Sequence, residues 1–103
     1  MFDLEKLKDK KIAIIGGAGF IGHNLDLKLA ELGANPHVVD GLQVNNIGYY
    51  TSGYNTNPNA ERYISFINER LSLLRKAKIS MHIIDARDYQ VVSHTLNEIK
   101  PDV

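Results

Sequence analysis

The stretch Ile12-Ala13-Ile14-Ile15-Gly16-Gly17-Ala18-Gly19-Phe20-Ile21-Gly22 runs from four consecutive apolar residues into a turn with glycines three apart, and that order leaves few folds open. Four apolar residues in a row suit a strand buried on both faces of a parallel sheet. Gly16, Gly19 and Gly22 meet three demands: a tight turn, a close approach of backbone to a bulky anion, and close packing of the next helix on the strand. The helix N-terminus then offers unpaired N–H groups and a partial positive charge to a phosphate. A P-loop requires Lys and Ser or Thr directly after its last glycine, and His23 and Asn24 stand there instead, so that reading is excluded. Between Lys11 and Lys28 there is no Lys or Arg, so backbone groups and the helix end must hold the anion, as suits a dinucleotide's pyrophosphate. The spacing also differs from the tighter G-x-G-x-x-G of the commonest dinucleotide fingerprint. The competing reading is a glycine-rich turn without a ligand.

Further along, Ile21, Leu25, Leu29 and Leu32 follow helical spacing, with Gly33 as the stop, and His23, Asn24, Asp26, Lys28 and Glu31 fall towards the other sides. Ala34-Asn35-Pro36 reads as a turn and His37-Val38-Val39-Asp40 as a second strand, which completes one βαβ unit. Asp40 stands 18 residues after Gly22, where dinucleotide-binding domains place a carboxylate for the adenosine ribose hydroxyls. The same charge repels a 2′-phosphate, which favours NAD over NADP. Alternatively, Asp40 caps the turn before Gly41. Residues 41–57, with four Asn and three Tyr, have no regular period and read as an irregular insertion, either a flap beside the nucleotide or a polar surface loop. Asn57-Pro58 is expected to open a helix whose buried stripe is Ile64, Ile67, Leu71 and Leu74, with Arg62, Glu69 and Arg70 on a solvated face. A third strand is expected over 79–84, then a helix capped by Asp88 that buries Val92, Leu96 and Ile99 and ends before Pro101. Asp102-Val103 would begin a fourth strand. The segment before Lys11 reads as a short leader of one or two helical turns, with Phe2, Leu4 and Leu7 against the sheet edge.

Composition excludes several classes. The 12 basic and 12 acidic side chains of this 103-residue chain cancel, so no overall field draws it to nucleic acid or an anionic membrane. Cysteine is absent, which removes disulfides and thiolate chemistry and fits a cytoplasmic protein. No apolar run approaches the ~18 residues of a membrane span, and the charged start Asp3-Leu4-Glu5-Lys6 does not suit a signal peptide. The four histidines, His23, His37, His82 and His94, show no i, i+4 metal spacing, and no metal site is expected. His23, just past the last glycine, is placed either to approach the pyrophosphate or to face solvent.

Gly16-Gly17-Ala18-Gly19-Phe20-Ile21-Gly22 resembles the N-terminal signature of the extended short-chain dehydrogenase/reductases, in particular the NAD-dependent epimerase/dehydratase family that acts on nucleotide sugars. Ile15 replaces the Thr usual there. Asp40, Ile84-Asp85-Ala86-Arg87-Asp88 and Pro101-Asp102-Val103 extend the resemblance over nearly the whole chain, with Ile84 where the family commonly has glycine. The resemblance implies that Gly16, Gly19, Phe20, Ile21 and Gly22 hold pyrophosphate, Asp40 the ribose, and Asp85 with Ala86 the adenine of NAD. It also implies a nucleotide-sugar substrate reached through parts beyond residue 103 and a homodimer at full length. The family's catalytic pair is a Tyr with Lys four residues later, and none of Tyr49, Tyr50, Tyr54, Tyr63 and Tyr89 has it. The expected fold is therefore α/β: the first part of a doubly wound Rossmann sheet, with strands in the order 3-2-1, the start of a fourth, and helices on both faces. The chain is expected to be the N-terminal, cofactor-binding portion of a longer enzyme. A non-catalytic NAD-binding module and an interaction domain with a vestigial nucleotide site are the alternatives.

Overall fold

The computed structural model describes residues 4–42 and 58–103. A 3₁₀ turn, Leu4–Leu7, precedes β1 (Lys11–Ile15), α1 (Phe20–Glu31), β2 (Asn35–Val39), α2 (Ala60–Lys76), β3 (Ser80–His82) and α3 (Tyr89–Ile99). Most of the irregular segment expected over 41–57, including Asn57, Tyr49, Tyr50 and Tyr54, lies outside the described residues, as does Phe2.

The three strands are parallel and ordered β1-β2-β3, which is 3-2-1 read from the other edge. Ile12 faces Pro36 and Ile15 faces Val39 across the first pair, and Val39 faces His82 across the second. On the free edge of β1, Asp102 and Val103 donate to the Lys11 carbonyl at 2.7 and 3.2 Å, and Ala13 donates to Val103 at 2.9 Å. That slanted pattern belongs to a parallel pair. The chain thus returns past β2 to lie on the far side of β1, and the strand order reverses there.

The reversal distributes the helices. Right-handed crossovers in one direction put α1 and α2 on one face, and the crossover back puts α3 on the other. Val38 and Leu74 are fully buried in the core between the sheet and the first two helices, with Ile79 and Ala18 beside them and Leu27, Ala30, Leu71 and Met81 packed around. Burial of one such aliphatic side chain contributes roughly 1.5–3 kcal/mol. α3 buries Thr95 and Ile99 and touches β1.

Several boundaries differ from the sequence reading, each for a local reason. β2 begins at Asn35 and includes Pro36. Alternation along the strand points the Pro36 nitrogen to the β3 side before β3 has started, so the missing N–H costs no ladder bond. β3 spans only Ser80–His82, because β2 offers no partner beyond Asp40, whose N–H donates to the His82 carbonyl at 3.1 Å. α2 begins at Ala60 with Asn59 as N-cap and no side-chain cap bond, so Pro58 stands before the helix and not at its first position. Asp88 caps α3 as expected, accepting from the Val91 amide at 3.2 Å.

α1 and α2 end alike. Gly33 at φ +87° lets its own amide reach the Ala30 carbonyl and that of Ala34 reach Leu29, both at 3.0 Å. Lys78 occupies the equivalent place after α2 at φ 58°, with its amide on Arg75 and the Ile79 amide on Leu74. Left-handed backbone is unfavourable for a side chain carrying a Cβ. Lys78→Gly is expected to stabilise the fold by about 1 kcal/mol in chemical denaturation; unchanged or lower stability contradicts this reading of the cap.

Candidate functional site

Two chain ends meet at the carboxyl edge of the sheet: the glycine loop after β1 and the Asp40 turn after β2. Gly16 leaves β1 at φ +79°, its amide on the Val39 carbonyl at 2.8 Å, and its own carbonyl accepts from Gly19 at 3.0 Å. Gly22, on the first turn of α1, lies against this turn: a Cβ there would overlap the Gly16 carbonyl oxygen and come within 2.7 Å of the Gly17 Cα. Gly17 is also confined, though less tightly, with an added Cβ 3.0 Å from both the Ile14 carbonyl and Val38, a constraint that the three-residue spacing does not reveal. Phe20, Ile21 and Gly22 open α1, so their amides have no intrahelical acceptors and sit at the positive end of its dipole. The side chains of Phe20 and Ile21 stand out at 72% and 80% exposure, which leaves their backbones as the groups available to an anion at the loop.

Asp40 is buried, and both carboxylate oxygens are used. One accepts from the Ala18 amide at 3.0 Å and the other from the Leu42 amide at 2.7 Å. The second bond is the turn cap considered from sequence; the first ties the end of β2 to the glycine loop. Between loop and carboxylate is a cleft of about 270 Å³ lined by Ile15, Gly16, Gly19, Val39, Asp40, Gly41 and Ala86. Small-molecule pockets run from roughly 300 Å³ upward, so this cleft has the size of part of a dinucleotide. It lies beyond the carboxyl ends of β1 and β2, the edge at which parallel α/β sheets bind ligands.

Four of the eight residues anticipated from sequence, Gly16, Gly19, Asp40 and Ala86, line the cleft together. Gly22 shapes the loop from behind. The Asp85 carboxylate forks onto Arg87 at 2.9 and 3.0 Å and also accepts the Arg87 amide, and these bonds hold it below the usual carboxylate range. It lies outside the cleft lining. His23 donates from Nδ1 to the Gly19 carbonyl at 2.9 Å, an arrangement that fixes its tautomer and turns it onto the loop.

Four residues were misplaced by the sequence pattern. Arg70, expected on a solvated face, is partly buried and donates to the Ala18 carbonyl at 3.1 Å, bringing a cation to the glycine loop. Its spacing from Ile67 and Leu74, three and four residues, was the available signal. Asp26, expected towards the outer sides of α1, is 0% exposed, while Ile21 and Leu25, expected in the core, are 80% and 46% exposed. The contact of Gly22 with the loop sets the rotation of α1. Gly22, Asp26 and Leu29 therefore face inward, and of the expected stripe Ile21 and Leu25 are turned away. Neither Asp26 oxygen has a hydrogen-bond partner among the described residues. Burial, and secondarily the charge of Asp40, push its carboxyl up to about 7.

Elsewhere, His37 and His82 stack across β2 and β3 with Nδ1 and Nε2 3.2 Å apart, and burial lowers the His37 pKa. Phe20, His23, Phe66, Glu69, Arg70 and Leu73 line a groove of about 410 Å³ between α1 and α2 that includes no strand end. Among the described residues no three His, Asp or Glu side chains come together to hold a metal ion, and no helix is long and apolar enough to cross a membrane. Comparison with known protein families, curated proteins and solved structures finds no match to this chain.

Two outcomes are expected. Gly22→Ala should destabilise the fold by about 1–3 kcal/mol through overlap with fixed backbone, and by more than Gly19→Ala, where φ is −74° and the added Cβ comes no nearer than 3.2 Å to the Gly16 carbonyl. Equal losses in urea titrations contradict the packing role. The second concerns pH: a carboxyl raised from 3.8 to about 7 binds its proton more tightly folded than unfolded. Its stabilising contribution is therefore complete below pH ~4 and is lost as pH rises towards ~7. Asp26→Asn should flatten the stability curve over that window, and a curve unchanged by the substitution contradicts the buried neutral acid.

Proposed function

We propose that these residues form the adenosine and pyrophosphate half of an NAD site, and that the protein is an extended short-chain dehydrogenase/reductase of the epimerase/dehydratase type acting on a nucleotide sugar. The observation that carries the reading is the cleft beyond the ends of β1 and β2, with Gly16 and Gly19, at the start of α1, on one wall and the buried Asp40 carboxylate on the other. The cradle fits the group: the loop is open at Gly16, where an added Cβ would meet nothing within 4 Å, and the first amides of α1 beside it have no intrahelical acceptors. The amides of Phe20, Ile21 and Gly22 would hold the pyrophosphate, with the Arg70 guanidinium bound to the same loop. Asp40 would accept from the ribose hydroxyls, and Ala86 would line the adenine slot. For Asp85 to accept from the adenine amino group it must share oxygens already engaged by Arg87. NAD, when bound, supplies the hydride-accepting nicotinamide.

The sugar substrate and the choice of reaction rest on the sequence resemblance. No Tyr in the chain precedes a Lys by four residues, so under this reading the acid/base pair belongs to sequence outside these 103 residues. That same observation supports a second reading, an NAD-binding module without catalysis. Assay of the protein together with any further chain it carries separates the two: turnover of a nucleotide sugar supports the enzyme, and tight NAD binding without turnover supports the module.

Asp40 also sets the expected cofactor preference. With a carboxylate in the ribose position and Gly41-Leu42 following it, a 2′-phosphate meets repulsion and no compensating cation from that turn. Asp40→Ala should weaken NAD at least about tenfold and narrow the gap between NAD and NADP. Dissociation constants for both cofactors that stay unchanged overturn the placement of the ribose.

A further inference from the structure

We propose that Arg70 and His23 are positioning residues for the glycine loop: they grip two successive carbonyls, those of Ala18 and Gly19, and hold the loop in the shape that opens the first amides of α1 to an anion. The consequence for nucleotide rests on the NAD reading above; the grip itself does not.

The Arg70 guanidinium donates to the Ala18 carbonyl at 3.1 Å, across 52 residues of chain. The Gly19 carbonyl accepts from His23 Nδ1 at 2.9 Å as well as from the His23 amide at 3.0 Å. Both side chains line the groove between α1 and α2, and neither lines the cleft at the strand ends. On a ligand in that cleft they therefore act through the loop.

The loop needs outside ties because three of its four residues, Gly16, Gly17 and Gly19, have no Cβ to restrict them. A trans peptide points its carbonyl and its N–H in opposite directions, so fixing one fixes the other. With the Ala18 oxygen on Arg70, the Gly19 amide is turned to the Gly16 carbonyl, which it meets at 3.0 Å. With the Gly19 oxygen on His23, the Phe20 amide is turned out of the helix end, where it has no intrahelical acceptor. The peptide before these is tied as well, since the Ala18 amide donates to Asp40 at 3.0 Å. Three consecutive peptides are thus each held by a side chain from a different place: Asp40 after β2, Arg70 on α2 and His23 on α1. Arg70 stands between Ile67 and Leu74, which α2 buries. A guanidinium there loses hydration, and the bond to the Ala18 carbonyl offsets part of that loss. A loop ordered in advance gives up less freedom when a ligand binds, which is how these two side chains raise affinity without touching the ligand.

The test follows amide hydrogen exchange and NAD binding in the 103-residue chain and three variants. Arg70→Met keeps an apolar stem and removes the donors. His23→Ala removes the Nδ1 donor, and His23→Ser restores a donor to the carbonyl four residues back. Without nucleotide, Arg70→Met is expected to speed exchange of the Gly19 amide about tenfold, the worth of one hydrogen bond, while the Val38 and Leu74 amides exchange as in the native chain. Gly19 exchange that is unchanged, or that rises only in step with Val38 and Leu74, overturns the grip. Arg70→Met and His23→Ala are each expected to weaken NAD about tenfold, and His23→Ser to bind it within about threefold of the native chain. Native affinity in both Arg70→Met and His23→Ala, or equal losses in His23→Ser and His23→Ala, overturns the link to the site. NAD weakened by Arg70→Met with Gly19 exchange unchanged overturns the positioning role too, because Arg70 then acts on the anion directly. If the native chain binds no NAD, the dinucleotide reading fails, and hydrogen exchange alone decides the grip.

Discussion

The contact between Gly22 and the turn at Gly16 and Gly17 governs most of what surrounds it. Because no Cβ intervenes, α1 starts directly against the end of β1, and its first amides open towards the strand ends. The same contact fixes the rotation of the helix, which decides that Leu29 is inside, that Ile21 and Leu25 are outside, and that Asp26 is buried. One backbone approach thus sets both a helix end open at the strand ends and an unusual core. Close packing of backbone on backbone costs no side-chain entropy, so such a junction is stiff compared with one made by long side chains.

Around that junction the polar groups are arranged asymmetrically. Asp40 is held by two amides and in turn holds the glycine loop to the end of β2; Asp26, one turn of α1 beyond Gly22, accepts no hydrogen bond among the described residues. A buried acid without donors weakens a core unless it is neutral.

Much of the fold was legible in the sequence because its signals are local. The strand before Gly16, the stop at Gly33, the cap at Asp88 and the stripe Ile64, Ile67, Leu71 and Leu74 each act within a few residues, and the structure has them where the pattern put them, although Ile15 is 55% exposed and that strand is not buried on both faces along its whole length. What local pattern could not give was the tertiary contact that overrides it. On α1 the apolar residues are spread around the helix, so spacing alone selected Ile21 and Leu25 when the glycine contact selects Gly22 and Asp26. Pro36 looked like a turn because nothing local shows that β3 begins one residue later in register. In the site, Gly16, Gly19, Asp40 and Ala86 converge as their positions at strand ends suggested, while Arg70 comes from a helix fifty-two residues away from Ala18 and was hidden among solvated charges.

The central claim is that the glycine loop and Asp40 bind a dinucleotide through backbone amides and one carboxylate. Titrating NAD into the ¹⁵N-labelled chain and following every amide resonance tests it most directly. The account predicts saturable shifts concentrated at Gly16, Gly19, Phe20, Ile21, Gly22 and Gly41. Shifts centred instead on Phe66, Glu69 and Leu73 in the groove between the helices, or none at millimolar NAD, would contradict it.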